Sequence, residues 1–301
     1  MKRALALLAS LVPFVTRTAV AAPAGDSELA RHDLQVEAQA HFGVATAPFD
    51  VSTLHQAKGQ AFVFLAAARY ALTQPLALEL RMPWVLGSVA QPAGSYVDAA
   101  AMGNPQLGTR LRVFERRFGE SALAWSVGFE LGAPLATHRE NLMPNRALAI
   151  ADGLEGRGHP EWFTPGVVPL TASTDLRWTS PSWSIVADLR SPLLVRVSDA
   201  DLPGYAARPK DVGLATIFGV EARYRVSQPL SLAAAAHLFF DLAPAVEHVR
   251  RLARVQDFER VSLYIRFAAS VALVVDLQTA LGWELHGSTV AGGLRLVGTI
   301  R

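Results

Sequence analysis

About a dozen segments of this chain alternate apolar and polar residues, and that period-two pattern constrains the fold more than any other feature. In Leu34-Gln35-Val36-Glu37-Ala38-Gln39-Ala40-His41-Phe42 every even position is apolar, while the odd positions carry Gln, Glu and His. A strand sends successive side chains to opposite faces, so such a segment has one apolar face and one wet face. The segments are long enough to cross a bilayer, which takes roughly 9–11 residues in a tilted strand. Hydrophobic residues make up 51% of the 301, with a mean hydropathy of +0.24. After the N-terminus, however, no run approaches the roughly 18 uncharged apolar residues of a membrane helix. The pattern predicts an all-β fold: a transmembrane antiparallel β-barrel of about 12 strands, with short periplasmic turns and longer outer loops.

The strands read as 34–45, 60–72, 76–86, 105–115, 121–133, 167–178, 182–195, 212–226, 230–241, 258–268, 271–284 and 289–300. In 121–133, Leu123, Trp125, Val127, Phe129 and Leu131 share one face, against Ala124, Ser126, Gly128 and Glu130 on the other. Connections after even strands are short, as in Thr73-Gln74-Pro75 and Thr179-Ser180-Pro181. Connections after odd strands are mostly long: 46–59, 87–104, 134–166, 196–211 and 242–257. Membrane barrels sort their loops in this way, short on the periplasmic side and long outside. The longest, 134–166, leaves two readings open, a surface loop or one folded inward as a constriction. The unit Arg69-Tyr70-Ala71-Leu72-Thr73-Gln74-Pro75-Leu76 recurs as Arg223-Tyr224-Arg225-Val226-Ser227-Gln228-Pro229-Leu230. It is either a duplicated hairpin or the same turn chemistry met twice. Tyr70, Trp178, Trp183 and Tyr224 fall near the short turns, and Trp84 and Trp283 near the opposite strand ends, where interfacial rings belong.

The N-terminus has the layout of a secretory signal. Lys2 and Arg3 precede an apolar core from Ala4 to Val15 and a small-residue site at Ala19-Val20-Ala21. The expected organisation is a cleaved signal at 1–21, a short periplasmic segment at 22–33 and a single barrel domain at 34–301. Without Lys2, Arg3 and Arg17, 25 basic residues face 26 acidic ones, a net charge of −1. The pI of 9.1 is therefore no argument for nucleic acid. The chain has no cysteine, which excludes disulfides, thiolate metal sites and a Cys nucleophile.

Strand parity sorts the charges. The positions read as inward, and so as candidates to line a lumen, are Glu37, His41, Arg69, Glu79, Arg81, Arg110, Arg112, Glu130, Asp175, Arg177, Asp188, Arg190, Glu221, Arg223, Arg225, His237, Arg266, Asp276 and Arg295. A charge facing lipid at the midplane costs about 2–4 kcal/mol, so a membrane barrel must keep such residues inside. Two readings of this lumen stand side by side. Arg and carboxylates pair across strands and close it, or a narrow water path survives with an arginine bias toward anionic solutes.

No catalytic, cofactor or metal motif is present: no phosphate-binding Gly-rich loop, no HExxH, no GxSxG, no EF-hand loop, and no metal spacing among the eight His. His286-Gly287-Ser288 resembles the His-x-Ser pair of outer-membrane phospholipase A. A serine nucleophile, however, needs a base and an orienting group, and no Asn lies nearby in sequence. Gly-Ser at a hairpin tip is ordinary turn chemistry.

From Tyr70-Ala71-Leu72-Thr73-Gln74-Pro75 through Leu80-Arg81-Met82-Pro83-Trp84, then Gly103-Asn104-Pro105-Gln106-Leu107-Gly108 and Phe129-Glu130-Leu131-Gly132, the chain resembles a known exported family. It is similar to the outer-membrane proteins associated with the meta-pathway of phenol degradation, and more distantly to the long-chain fatty-acid channel group. Ala71 stands where that family usually has Gly, and Gln74 where it has Asp. The likeness spans roughly residues 60–135 and rests on structural turns. It implies a barrel passing hydrophobic or aromatic small molecules, and supplies no catalytic residues. The functional expectation is a porin-like outer-membrane channel for small hydrophobic or anionic molecules. The alternatives are a non-transporting structural or surface-binding barrel with a plugged lumen and, third, an outer-membrane lipid hydrolase. The partners expected are outer-membrane lipid, a small-molecule solute and the barrel assembly machinery, with no cofactor and no nucleic acid.

Overall fold

The computed structural model describes residues 32–50, 55–90, 96–136, 159–164, 166–197, 211–226, 230–243, 255–268, 271–281 and 290–300. These hold thirteen strands: β1 (Leu34–Asp50), β2 (His55–Ala71), β3 (Leu76–Ala90), β4 (Tyr96–Met102), β5 (Gln106–Phe118), β6 (Ser121–Gly132), β7 (Val167–Thr179), β8 (Trp183–Arg196), β9 (Val212–Arg225), β10 (Leu230–Ala243), β11 (Val255–Ala268), β12 (Val271–Leu281) and β13 (Val290–Ile300). One helical turn, α1 (Pro160–Phe163), lies in the β6–β7 connection. No described helix is long and apolar enough to cross a membrane.

Every pairing is antiparallel, and the sheet closes. β1 pairs with β2 on one side and with β13 on the other, from Leu34↔Ile300 to Val44↔Val290. β2 pairs in turn with β3. Closure removes the edges whose free N–H and C=O groups lipid could not satisfy. Strand β3 serves two further partners. Leu76 to Arg81 pair with β5, and Trp84 to Ala90 pair with β4.

Two expectations change here. Residues 96–102, placed in an outer loop, form a strand, so the described residues hold thirteen rather than twelve. Tyr96-Val97-Asp98-Ala99-Ala100-Ala101-Met102 shows no alternation to read, and its state is set by the β3 edge it meets. The break before β5 falls at Gly103-Asn104-Pro105, where Pro105 has no N–H to donate to a ladder. The connection expected at 46–59 shrinks to 51–54, because β1 and β2 stay paired out to Asp50↔His55. Residues 1–31, Trp283 and His286-Gly287-Ser288 lie outside the described residues.

The outward face is apolar. Leu107 is 61% exposed and Phe129 53%, and Leu80, Leu111, Leu131, Leu176 and Phe218 are also open to the surroundings. A water-soluble domain of this size rarely exposes so continuous an apolar belt, whereas a bilayer would cover it. Toward the short-turn end the belt becomes aromatic. The rings of Trp183 and Tyr224 lie 4.8 Å apart and those of Phe114 and Trp125 6.1 Å apart. The Arg116 guanidinium sits 5.2 Å over Phe118.

Candidate functional site

The inward face holds two kinds of surface. Toward the long-connection end it is apolar, with Val63 and Leu65 of β2, Val85 of β3, Leu194 of β8 and Ile217 of β9 all buried. Below this layer the inward positions of β2, β3, β5, β6 and β7 carry charge.

Register brings those charges together. Arg69 lies directly opposite Glu79, Glu79 opposite Gly108, and Gly108 opposite Glu130. Gly108 has to be small, because a Cβ there would come within 2.6 Å of the Glu130 side chain and 2.7 Å of the Phe129 carbonyl oxygen. The space it leaves lets the acids on either side share arginines. Glu79 receives Arg69 at 3.4 Å, Arg81 at 3.0 Å and Arg110 at 4.0 Å. Arg81 also donates to Glu130, and Arg110 pairs with Asp175. Three guanidiniums and three carboxylates therefore alternate across five strands with no net charge. Burying ions costs several kcal/mol each unless every one is answered, and alternation answers them.

Asp175 and Asp188 face each other across β7 and β8, an unfavourable like-charge pair by itself. Each has its own cation: Arg110 for Asp175, and Arg190, with its Nε 3.9 Å away, for Asp188.

Above the ladder sits α1. Within the β6–β7 connection, Glu161, Trp162, Phe163 and Thr164 are buried inside. Asn104, at the break between β4 and β5 and 0% exposed, holds them. Its backbone N–H donates to the Trp162 carbonyl at 2.6 Å. Its side-chain amide donates to the carbonyls of Glu161 at 3.1 Å and Thr164 at 2.8 Å, and its Oδ1 accepts from the Ala136 N–H at 3.0 Å. One residue thus satisfies both arms of the loop, which a buried backbone requires. Gly103 makes the close approach possible, since a Cβ there would lie 2.5 Å from the Trp162 carbonyl oxygen. The Trp162 indole N–H donates to Gln106 at 3.2 Å. His159 stacks on Trp162 at 3.6 Å with the planes 8° apart. Glu161 Oε1 lies 3.0 Å from His159 Nδ1 and accepts from Arg190 at 3.2 Å. Burial pushes the Glu161 carboxyl above its ordinary range, against the pull of Arg190.

Of the residues read from sequence as inward, Arg69, Glu79, Arg81, Arg110, Glu130 and Asp175 form this ladder. Asp188 and Arg190 stand beside it under α1. Arg223 bonds Glu221 at 2.7 Å nearer the short-turn end, with Arg177 electrostatically coupled to both. Arg112 bonds Glu115 at 2.6 Å, next to a bulge at Val113, and Glu37 accepts from Gln39. Arg225 is exposed at its strand's end. His41, His237, Arg266, Asp276 and Arg295 occupy strand positions, with Arg295 opposite Gln39 and His237 opposite Gly219. No cluster of three His, Asp or Glu suited to a metal occurs among the described residues.

Sequence reading named Asn104 and Gln106 only within the family resemblance, with no role at a site, and did not single out His159, Glu161 or Trp162. Two signals were available: Asn-Pro directly after Gly, which marks a break in a strand, and the Trp-Phe pair within a Pro- and Gly-rich loop, which marks a segment that must bury itself.

No family model matches the chain, and no curated protein does. Among solved structures, the COG4313 outer-membrane channel from Pseudomonas putida F1 superposes with a TM-score of 0.62 at 18% identity, covering 94% of this chain and 100% of that one. That likeness establishes the fold: this chain shares the β-barrel architecture of that channel. The transport unit of the autotransporter AIDA-I from Escherichia coli gives 0.49 at 12% identity, covering 99% of this chain and 97% of that one. The CymD monoaromatic hydrocarbon channel gives 0.42 at 9%, covering 91% of this chain and 90% of that one.

Proposed function

We propose that this protein is an outer-membrane channel for passive passage of small molecules, held closed by α1 in the conformation described. The observation that carries the reading is the layered interior. An apolar zone lies toward the long connections and a charge-balanced ladder lies below it, with α1 between them on a hydrogen-bonded seat rather than a covalent one. An interior built only for stability has no need of a separate inserted segment, because strand side chains can fill a small barrel themselves. The apolar outward belt and the sorted loops support the outer membrane as its location. The apolar layer suits hydrophobic solutes, and the arginines of the ladder suit anionic ones.

A second reading keeps a specific observation in its favour. The ladder is neutral and α1 is buried, which also suits a barrel that transports nothing and serves as an envelope structural or surface-binding protein.

Planar-bilayer recording separates the two. The channel reading expects discrete conductance steps from the wild-type protein, and larger or longer ones once α1 is unseated. A folded barrel silent in both forms would refute it and leave the structural role. Neither reading assigns catalysis to any residue.

A further inference from the structure

The chemistry that α1 presents to the barrel wall has the form of a small ligand. One helical turn offers a carboxylate, Glu161, and next to it two aromatic rings, Trp162 and Phe163, set edge to face 6.4 Å apart. All three are buried. The wall answers with matching groups. Arg190 takes the carboxylate at 3.2 Å, and directly opposite Arg190 in register stands Ile217, wholly buried on the apolar layer.

We propose that Arg190 and the apolar wall beside it form a binding subsite for a small aromatic carboxylate, and that α1 fills this subsite as an internal stand-in. The proposal rests on the channel reading for the reason a solute reaches this depth.

The stand-in fits imperfectly, which is what a displaceable occupant requires. Glu161 Oε2 and the Gln106 side-chain nitrogen are buried with no hydrogen-bond partner among the described residues. Each such group weakens the seated state, because water would satisfy it elsewhere. Glu161 meets Arg190 Nη1 with Oε1, and its Oε2 takes no part. A free carboxylate can align both oxygens with the planar guanidinium fork, a geometry that lysine or a neutral donor cannot reproduce. Its ring would then lie beside Ile217, in the space that α1 vacates. The exchange is charge-neutral, since one carboxylate leaves Arg190 as another arrives, and Asp188 stays in place. A solute without a ring would lose the apolar contact, and one without a carboxylate would leave Arg190 with Asp188 but without the carboxylate that Glu161 supplied.

The test is calorimetric titration of the purified full-length barrel in detergent with three probes: benzoate, benzyl alcohol and acetate. Benzoate is expected to bind saturably and at least tenfold more tightly than either of the others. Arg190→Gln should erase the preference for benzoate over benzyl alcohol. Glu161→Gln, which keeps the shape of the turn and removes the competing charge, should tighten benzoate several-fold. A role for Glu161 that was only structural would loosen binding or leave it unchanged. Each variant is checked for the heat-dependent gel shift of a closed barrel, so that Glu161→Gln still decides the matter if Arg190→Gln does not fold. Equal affinity for the three probes, or Glu161→Gln binding benzoate no more tightly than wild type, overturns the proposal. Conductance is recorded separately. A barrel that conducts without preferring benzoate refutes the subsite and leaves the channel, whereas one that binds benzoate and never conducts keeps the subsite and refutes the channel.

Discussion

Replacing Asn104 with alanine should open the barrel without unfolding it. The side chain makes three hydrogen bonds, to the carbonyls of Glu161 and Thr164 and from the N–H of Ala136. Their loss removes three hydrogen bonds from buried backbone groups at about 1–3 kcal/mol each, so even the low end sums to about 3 kcal/mol against the seated state. At a factor of ten for every 1.4 kcal/mol, the ratio of seated to displaced α1 falls by more than about a hundredfold. The seat has little surplus to absorb this, because Gln106, Glu161 and Thr171 each hold a buried polar atom with no partner among the described residues. The barrel should survive, since the Asn104 side chain takes no part in a ladder bond and β5 pairs with β6 from Gln106↔Gly132 onward. The assay is single-channel recording in a planar bilayer, paired with gel mobility of boiled and unboiled protein. The expected result is a normal heat-dependent shift with a large rise in open probability or step size. A folded Asn104→Ala protein with wild-type recordings would refute the argument that α1 is the occluding element and that Asn104 holds it.

Three further outcomes follow from the same geometry. Gly103→Ala should also unseat α1, because its Cβ would meet the Trp162 carbonyl at 2.5 Å and the Pro83 ring at 2.8 Å. The check is a conductance change like that of Asn104→Ala, which a harmless accommodation would not give. Glu79→Gln leaves Arg69, Arg81 and Arg110 with two carboxylates between them. It should cost about 3–5 kcal/mol, lowering the temperature of the gel shift, and move the reversal potential in a KCl gradient toward anion selectivity. Phe129→Arg places a charge on the outward belt at a position 53% exposed. It should destabilise the folded barrel in lipid vesicles by about 2–4 kcal/mol in denaturant titration, and a neutral result would argue that the belt does not face lipid.

What could be read from the chain was what depends on near neighbours. Alternation along Leu34–Phe42 or Leu123–Leu131 is a local property of the strand, and it set which residues face outward and which charges are sorted to the opposite face. A barrel in lipid followed from the length and number of such segments and from the rule that intramembrane backbone must be paired. β4 was not legible, because Ala99-Ala100-Ala101 has no preferred face and becomes a strand only on meeting the upper half of β3. The alternation of Arg69, Glu79, Arg81, Glu130, Arg110 and Asp175 was not legible either. Each charge could be assigned to a face, but its partner depends on register between strands whose paired residues lie far apart in sequence, as Arg81 and Glu130 do and Arg110 and Asp175 do. The destination of α1 lay furthest from the sequence. Four residues of a long loop carry no period, and what receives them inside is a set of features on distant strands: the amide of Asn104, the space above Gly103, and the Arg190 guanidinium beside Asp188.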